Sequence, residues 1–156
     1  MFTIRVLIAG VLAGLVMAMF EMLYEAIGGA GFWSPVVFIA ATLQRNLQSS
    51  TLPVAFEPVP VWLGLMGHML NSVILGLVFA WLVAPHLHSL TGLVVGGVVY
   101  GLIVFAVEWF VVVPVVDPVM LKLNGLAFGV SHVLFGATLG LVMGWRMTPA
   151  RVPAMP

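Results

Sequence analysis

Four residues could do chemistry in a place where chemistry is costly to put. Glu21, His68, Glu108 and His132 each interrupt a long apolar run. Carboxylates and imidazoles bind first-row transition metals, and imidazole exchanges protons near neutrality. A charge at the centre of a bilayer costs about 2.5–3.5 kcal/mol on insertion scales, so such residues face a bundle interior and mark function. Two carboxylates at one depth repel unless a proton, a histidinium or a cation neutralises them. Glu25 lies one helical turn beyond Glu21 on the same face, and Asn71 and Ser72 lie one turn beyond His68.

Three chemistries suit this set. In the first, Glu21, His68, Glu108 and His132 bind a transition metal such as iron, manganese or zinc, with Glu25 as a fifth ligand and Asn71 and Ser72 behind them. Four-helix bundles build such centres from facing helices. Met17, Met22, Met66 and Met69 lie near the same level and extend the reading to copper, although methionines also fill gaps in cores. Each helix offers one type of ligand, so the Glu-x-x-His pattern of ferritin-like di-iron proteins is absent. In the second, His68 and His132 are the two axial ligands of a b-type haem, with Glu21 and Glu108 crowding the porphyrin. In the third, Glu–His pairs form a polar network that holds the bundle, carries protons in a transport protein or serves a scaffold. The cytoplasmic half carries no matching polar residues, which leaves a continuous pathway unsupported. Elemental analysis and an absorption spectrum separate the three.

Other candidates are weaker. His86 and His88 flank Leu87 in a short loop, where solvated histidines are common. Ser131 and His132 are sequence neighbours, which is no catalytic arrangement. There is no phosphate loop or nucleophile elbow, so enzymatic activity stays open and no catalytic residue is assigned. With no cysteine, disulfides and thiolate sites are excluded. Five basic and five acidic residues balance, leaving no field to attract nucleic acid.

The elements that position these residues follow from composition. Of 156 residues, 63% are hydrophobic and 6% charged, too few charges to solvate a soluble fold. Lipid is the expected partner; a homo-oligomer or a membrane complex is left open. Four stretches, 4–27, 61–83, 90–113 and 125–147, reach the roughly 20 apolar residues a crossing needs. All must be helices, because hydrocarbon offers backbone groups no partner. The first is too long for a signal h-region and reads as a retained span. The expectation is one all-α domain over 1–156, a polytopic membrane four-helix bundle. Arg5, Arg146 and Arg151 outnumber Arg45 and Lys122, which places both termini on the cytoplasmic side of an inner membrane. The aromatic residues near the span ends suit interfacial belts. Ser34-Pro35 reads as a cap and first residue of a short interfacial helix over 36–47, followed by a proline-punctuated strap. Asp117-Pro118 opens one or two further turns.

The halves 1–84 and 85–156 resemble each other. Gly14-Leu15 precedes Glu21 as Gly101-Leu102 precedes Glu108. Leu75-Gly76-Leu77-Val78 and Trp81 follow His68 at the spacing at which Leu139-Gly140-Leu141-Val142 and Trp145 follow His132. Two tandem, similar transmembrane hairpins would be related by a pseudo-two-fold axis along the membrane normal. Such an axis puts the two glutamates and two histidines in one layer. Glycine ridges at Gly10 and Gly14, and at Gly136, Gly140 and Gly144, let helices approach closely.

Overall fold

The computed structural model describes residues 2–145 and is all-helical. Arg146, Met147 and Arg151 lie outside the described residues. The elements are α1 (Phe2–Gly28), α2 (Ser34–Ala40), α3 (Pro58–Leu82), α4 (Leu90–Val107), a π-helical turn (Glu108–Val112), α5 (Val113–Val116) and α6 (Gly125–Gly144). Ile4–Gly28, Pro58–His86, Leu90–Val116 and Gly125–Gly144 are long and apolar enough to cross a bilayer.

Local chemistry explains the ends. Ser89 caps α4 by accepting from Gly92 N at 3.0 Å, and Asn124 caps α6 by accepting from Leu126 N and Ala127 N, each at 3.0 Å. Helix α3 begins at Pro58, earlier than expected, because Pro58 and Pro60 need no hydrogen-bond partner in a first turn. The third span is not one regular helix. Pro114 has no N–H and its ring would meet the carbonyl four residues back. The chain widens just before it, and Val113 N donates to Glu108 O across a π turn.

The helix over 36–47 is shorter than expected, and Ser34 is not its cap. Trp33 holds the N-cap position. Ser34 Oγ donates instead to Ala30 O and accepts from Val54 N at 3.3 Å. Helix α2 is largely buried: Pro35, Val36, Val37 and Phe38 are all enclosed. Gly64 of α3 lies against the Val36 carbonyl, where a Cβ would overlap it. The following strap is tied to the segment before α6. Arg45 Nη1 donates to Val116 O at 2.6 Å, and Lys122 Nζ to Ser50 O at 2.6 Å. Gln48 donates to Asp117 and accepts from Val119 N at 3.1 Å.

Backbone proximity sets the bundle's shape. A Cβ on Gly97 would overlap Gly136 O, one on Gly136 would overlap Gly97 O, one on Gly101 would overlap His132 O, and one on Gly140 would overlap Leu93 O. Glycine is required at this seam because two backbones occupy the space of a side chain. Helix α1 packs on α3 through Gly10, which lies against Val73 and Gly76, and also packs on α6. Helices α3 and α4 meet at few points. These include Tyr100 Oη donating to Leu75 O at 2.9 Å and the Phe79–Tyr100 ring contact. The helices run α3, α1, α6, α4 around an arc with a gap between its ends.

Two apolar cores result. One, under α2, gathers Met22, Phe38, Val61, Val113, Met120 and Phe128. The other gathers Ala13, Phe79, Leu93, Val104, Phe135 and Leu139. The α4–α6 seam gives a direct test. Gly136→Val should cost about 3 kcal/mol by overpacking, read as lowered thermal stability in detergent. Gly67→Ala should stay within about 0.5 kcal/mol, because its Cβ would meet only Ile39 Cγ2 at 3.5 Å.

Candidate functional site

Between the two cores lies a cavity of about 510 Å³. Met17, Leu63, Leu75, Val112, Phe128 and Phe135 form apolar wall; Glu21, His68, Asn71, Ser72, Glu108 and His132 form its polar band. The two-core arrangement explains the level of that band. On α6, His132 sits between Phe128 of one core and Phe135 of the other; on α1, Glu21 sits between Ala13 and Met22. The cavity borders the α3–α4 gap, where Asn71, Val112 and Val116 are exposed and Leu43 of the strap is 73% exposed.

The protonation pattern at His132 follows from its partners. Nδ1 lies 2.7 Å from Phe128 O and Nε2 lies 3.1 Å from Glu108 Oε2. A carbonyl only accepts, so Nδ1 carries a hydrogen. One further proton is then shared between Nε2 and Glu108: either imidazolium faces carboxylate, or neutral imidazole accepts from carboxylic acid. Both forms are neutral as a pair, which limits the cost of burial. Asn71 Nδ2 donates to Glu108 Oε1 at 3.1 Å, linking α3 to the π turn. The π turn begins at Glu108, so the widening forced by Pro114 starts where the carboxylate leaves the helix.

His68 is buried and its Nε2 lies 2.9 Å from Gly14 O. That nitrogen donates, which leaves Nδ1 of the neutral ring as an acceptor. Glu21 differs from Glu108. It is 4% exposed, and neither carboxylate oxygen has a hydrogen-bond partner among the described residues. Ser131 stands beside it, but the hydroxyl hydrogen is directed to Phe128 O at 2.8 Å. Ser131 can therefore accept from Glu21 but cannot donate to it in this arrangement.

The structure does not bring Glu25 to the band. Its Oε1 accepts from Asn124 N at 2.7 Å at the start of α6, where a carboxylate meets unpaired N–H groups and the positive end of the helix. It lines a separate open hollow with Tyr24, Lys122 and Asn124. Among the described residues, no three His, Asp or Glu side chains converge as a metal-ligand group. Both ring nitrogens of His132 are engaged, so a metal or haem iron would have to displace Glu108 from Nε2. Met17 and Met22 border the cavity, whereas Met66 is 65% exposed on the outside of α3.

Sequence reasoning missed Thr42 and Asp117, which also line the cavity. Thr42 Oγ1 donates to Asp117 Oδ2 at 3.1 Å, and Gln48 donates to Oδ1. Read as a helix cap, Asp117 gave no sign of pointing toward residues so distant in sequence. Neither a protein-family model nor a curated protein nor a solved structure matches the chain.

Two outcomes follow from this geometry. His132→Leu should cost about 3 kcal/mol, because it strands the Glu108 carboxyl, whereas Glu108→Gln should cost under about 1 kcal/mol, since an amide N–H can donate to Nε2. Thermal unfolding of both variants, and of Glu108→Leu with His132→Leu, measures this; the double variant should lose less than the single losses added together. Burial raises the Asp117 carboxyl above the usual aspartate range, against the hydrogen bonds from Gln48 and Thr42 and the Arg45 charge. The folded state thus holds the Asp117 proton more tightly than the unfolded state. That contribution is complete below the unfolded value and is lost as pH rises through the folded one. The stability of the wild type relative to Asp117→Asn should therefore fall as pH rises through this range, in paired melting curves.

Proposed function

We propose that the protein is a membrane-embedded binding protein that takes its ligand from the lipid phase through the gap between α3 and α4. The observation that carries this is the cavity itself: about 510 Å³, mainly apolar, bordering the gap and holding one band of polar groups. That volume lies in the range of roughly 300–1,000 Å³ typical of small-molecule sites. Apolar walls suit a ligand that partitions into hydrocarbon, and the band suits its polar end. Of the three chemistries drawn from the sequence, the polar network that holds the bundle stands nearest to this; a site for a lipid-soluble ligand was not among them. A transition-metal centre finds less support, because among the described residues no three His, Asp or Glu side chains converge and Nε2 of His132 is taken by Glu108.

The duplicated hairpin belongs to the same proposal. Gly14 meets the His68-bearing helix and Gly101 meets the His132-bearing helix, at corresponding positions of the two halves. On this reading one hairpin design was used twice, and the gap marks where the two copies differ. Helix α2 and the residues after it, through Ile39, Thr42 and Leu43, line the end of the cavity nearer Asp117.

The test is saturable binding of a lipid-soluble fluorophore, N-phenyl-1-naphthylamine, to the full chain in lipid nanodiscs. We expect one site per chain. Ala18→Phe fills the cavity from α1 and should weaken binding at least about tenfold, which is 1.4 kcal/mol. Binding that is non-saturable, or equal in the two proteins, removes the cavity as the site.

A further inference from the structure

We infer that the cavity's ligand is an uncharged lipophile bearing a hydroxyl group, and that Asn71 is the residue that recognises the hydroxyl. This rests on the reading of the cavity as a lipid-facing binding site and names the chemistry it would accept.

The first argument is reach. Most of the polar band is enclosed: Glu21, His68, Ser72 and His132 are buried. Asn71 is exposed and the Glu108 side chain is 21% exposed, and both line the cavity. Their place in the fold explains the difference. Along α3 from its loop end, the ties to α4 are the Phe79–Tyr100 ring contact and the bond from Tyr100 Oη to Leu75 O. One turn farther on, Asn71 Nδ2 donates to Glu108 Oε1 at 3.1 Å. Beyond that bond the cavity is lined by Gly67 and Leu63 on α3 and by Val112 and Val116 on the opposite side. The Asn71–Glu108 bond is therefore the polar edge of an otherwise apolar opening.

Unused hydrogen-bonding capacity is the second argument. The Asn71 side chain makes that one hydrogen bond among the described residues, which leaves a second amide hydrogen and Oδ1. The two Glu108 oxygens are each engaged once, by Asn71 and by His132, and a carboxyl group has lone pairs beyond those two. The edge thus offers acceptors beside a donor. A hydroxyl donates to one and accepts from the other. A ketone only accepts, and an alkylammonium only donates, against the remaining Asn71 N–H.

Charge is the third. Glu108 and His132 share a proton and are neutral as a pair. Asp117 is held by Thr42 and Gln48, and no lysine or arginine lines the cavity. At the opening no unmatched charge calls for a counter-ion. Met17, Leu75 and Phe135 on the wall take the hydrocarbon body.

The experiment displaces N-phenyl-1-naphthylamine from the full chain in nanodiscs with three probes of one shape: 2-adamantanol, 2-adamantanone and 2-adamantylamine. Each is compared at equal concentration in the bilayer. At neutral pH the alcohol should displace the fluorophore at least about fivefold better than the ketone, the effect of one further hydrogen bond, and the charged amine should do no better than the ketone. Asn71→Leu should bring alcohol and ketone within about twofold of each other while the fluorophore still binds. Equal displacement by alcohol and ketone in the wild type, an amine that is the strongest of the three, or an alcohol preference that survives Asn71→Leu overturns the inference while the cavity stands. Failure of the fluorophore itself to bind the wild type overturns the cavity reading and the inference together. Melting curves confirm that the variant folds; if Asn71→Leu does not fold or does not hold the fluorophore, Asn71→Ala and the three-probe order in the wild type decide the matter.

Discussion

The structure depends first on how closely the backbones of α4 and α6 approach. Gly97, Gly101, Gly136 and Gly140 leave no room for a Cβ along this seam. Lipid tails are as apolar as leucine, so helices in a bilayer gain little by burying apolar surface against one another. They gain by fit, and the seam supplies it. Its consequences reach the polar band. With Gly101 against the His132 carbonyl, the start of the π turn lies beside the His132 ring, and Glu108 can reach Nε2. Drawing α4 onto α6 also takes it away from α3. The gap that opens the cavity is thus the geometric complement of the seam.

Inside the band, carbonyls rather than charges determine what each histidine can do. Phe128 O and Gly14 O each face one ring nitrogen and force it to donate. For His132 the second nitrogen goes to Glu108; for His68 no carboxylate takes it among the described residues. One histidine closes a neutral pair and the other remains an acceptor. Residue type alone does not separate these roles, since the two histidines occupy matching positions in sequence. The difference arises from the partner on the neighbouring helix.

Much of the scaffold was legible before any coordinates. Apolar length located four long apolar helices to within a few residues, because a helix satisfies its backbone hydrogen bonds within one segment. The rarity of polar residues in those crossings found Glu21, His68, Glu108 and His132, and all four line one cavity. What stayed hidden depended on direction within a helix and on distant partners. Glu25 shares a helical face with Glu21, yet the start of α6 captures it, because the unpaired N–H of Asn124 is within reach. The π turn was implied by Pro114, whose effect was visible only once the helix continued past it. Asp117 looked like a local cap, and its ties to Thr42 and Gln48 span about 70 residues of chain.

Glu21, His68, Glu108 and His132 line one cavity, but not as a symmetric site. If the halves were equivalent in space, α3 would lie on α4 as α1 lies on α6, and Glu21 would pair with His68 as Glu108 pairs with His132. Neither holds: α1 packs on α6 while α3 and α4 stand apart, and His68 is held by Gly14 O. The departure leaves one side of the ring open and one buried carboxylate unpaired. The same departure that parts α3 from α4 therefore leaves Glu21 without the imidazole partner that Glu108 has.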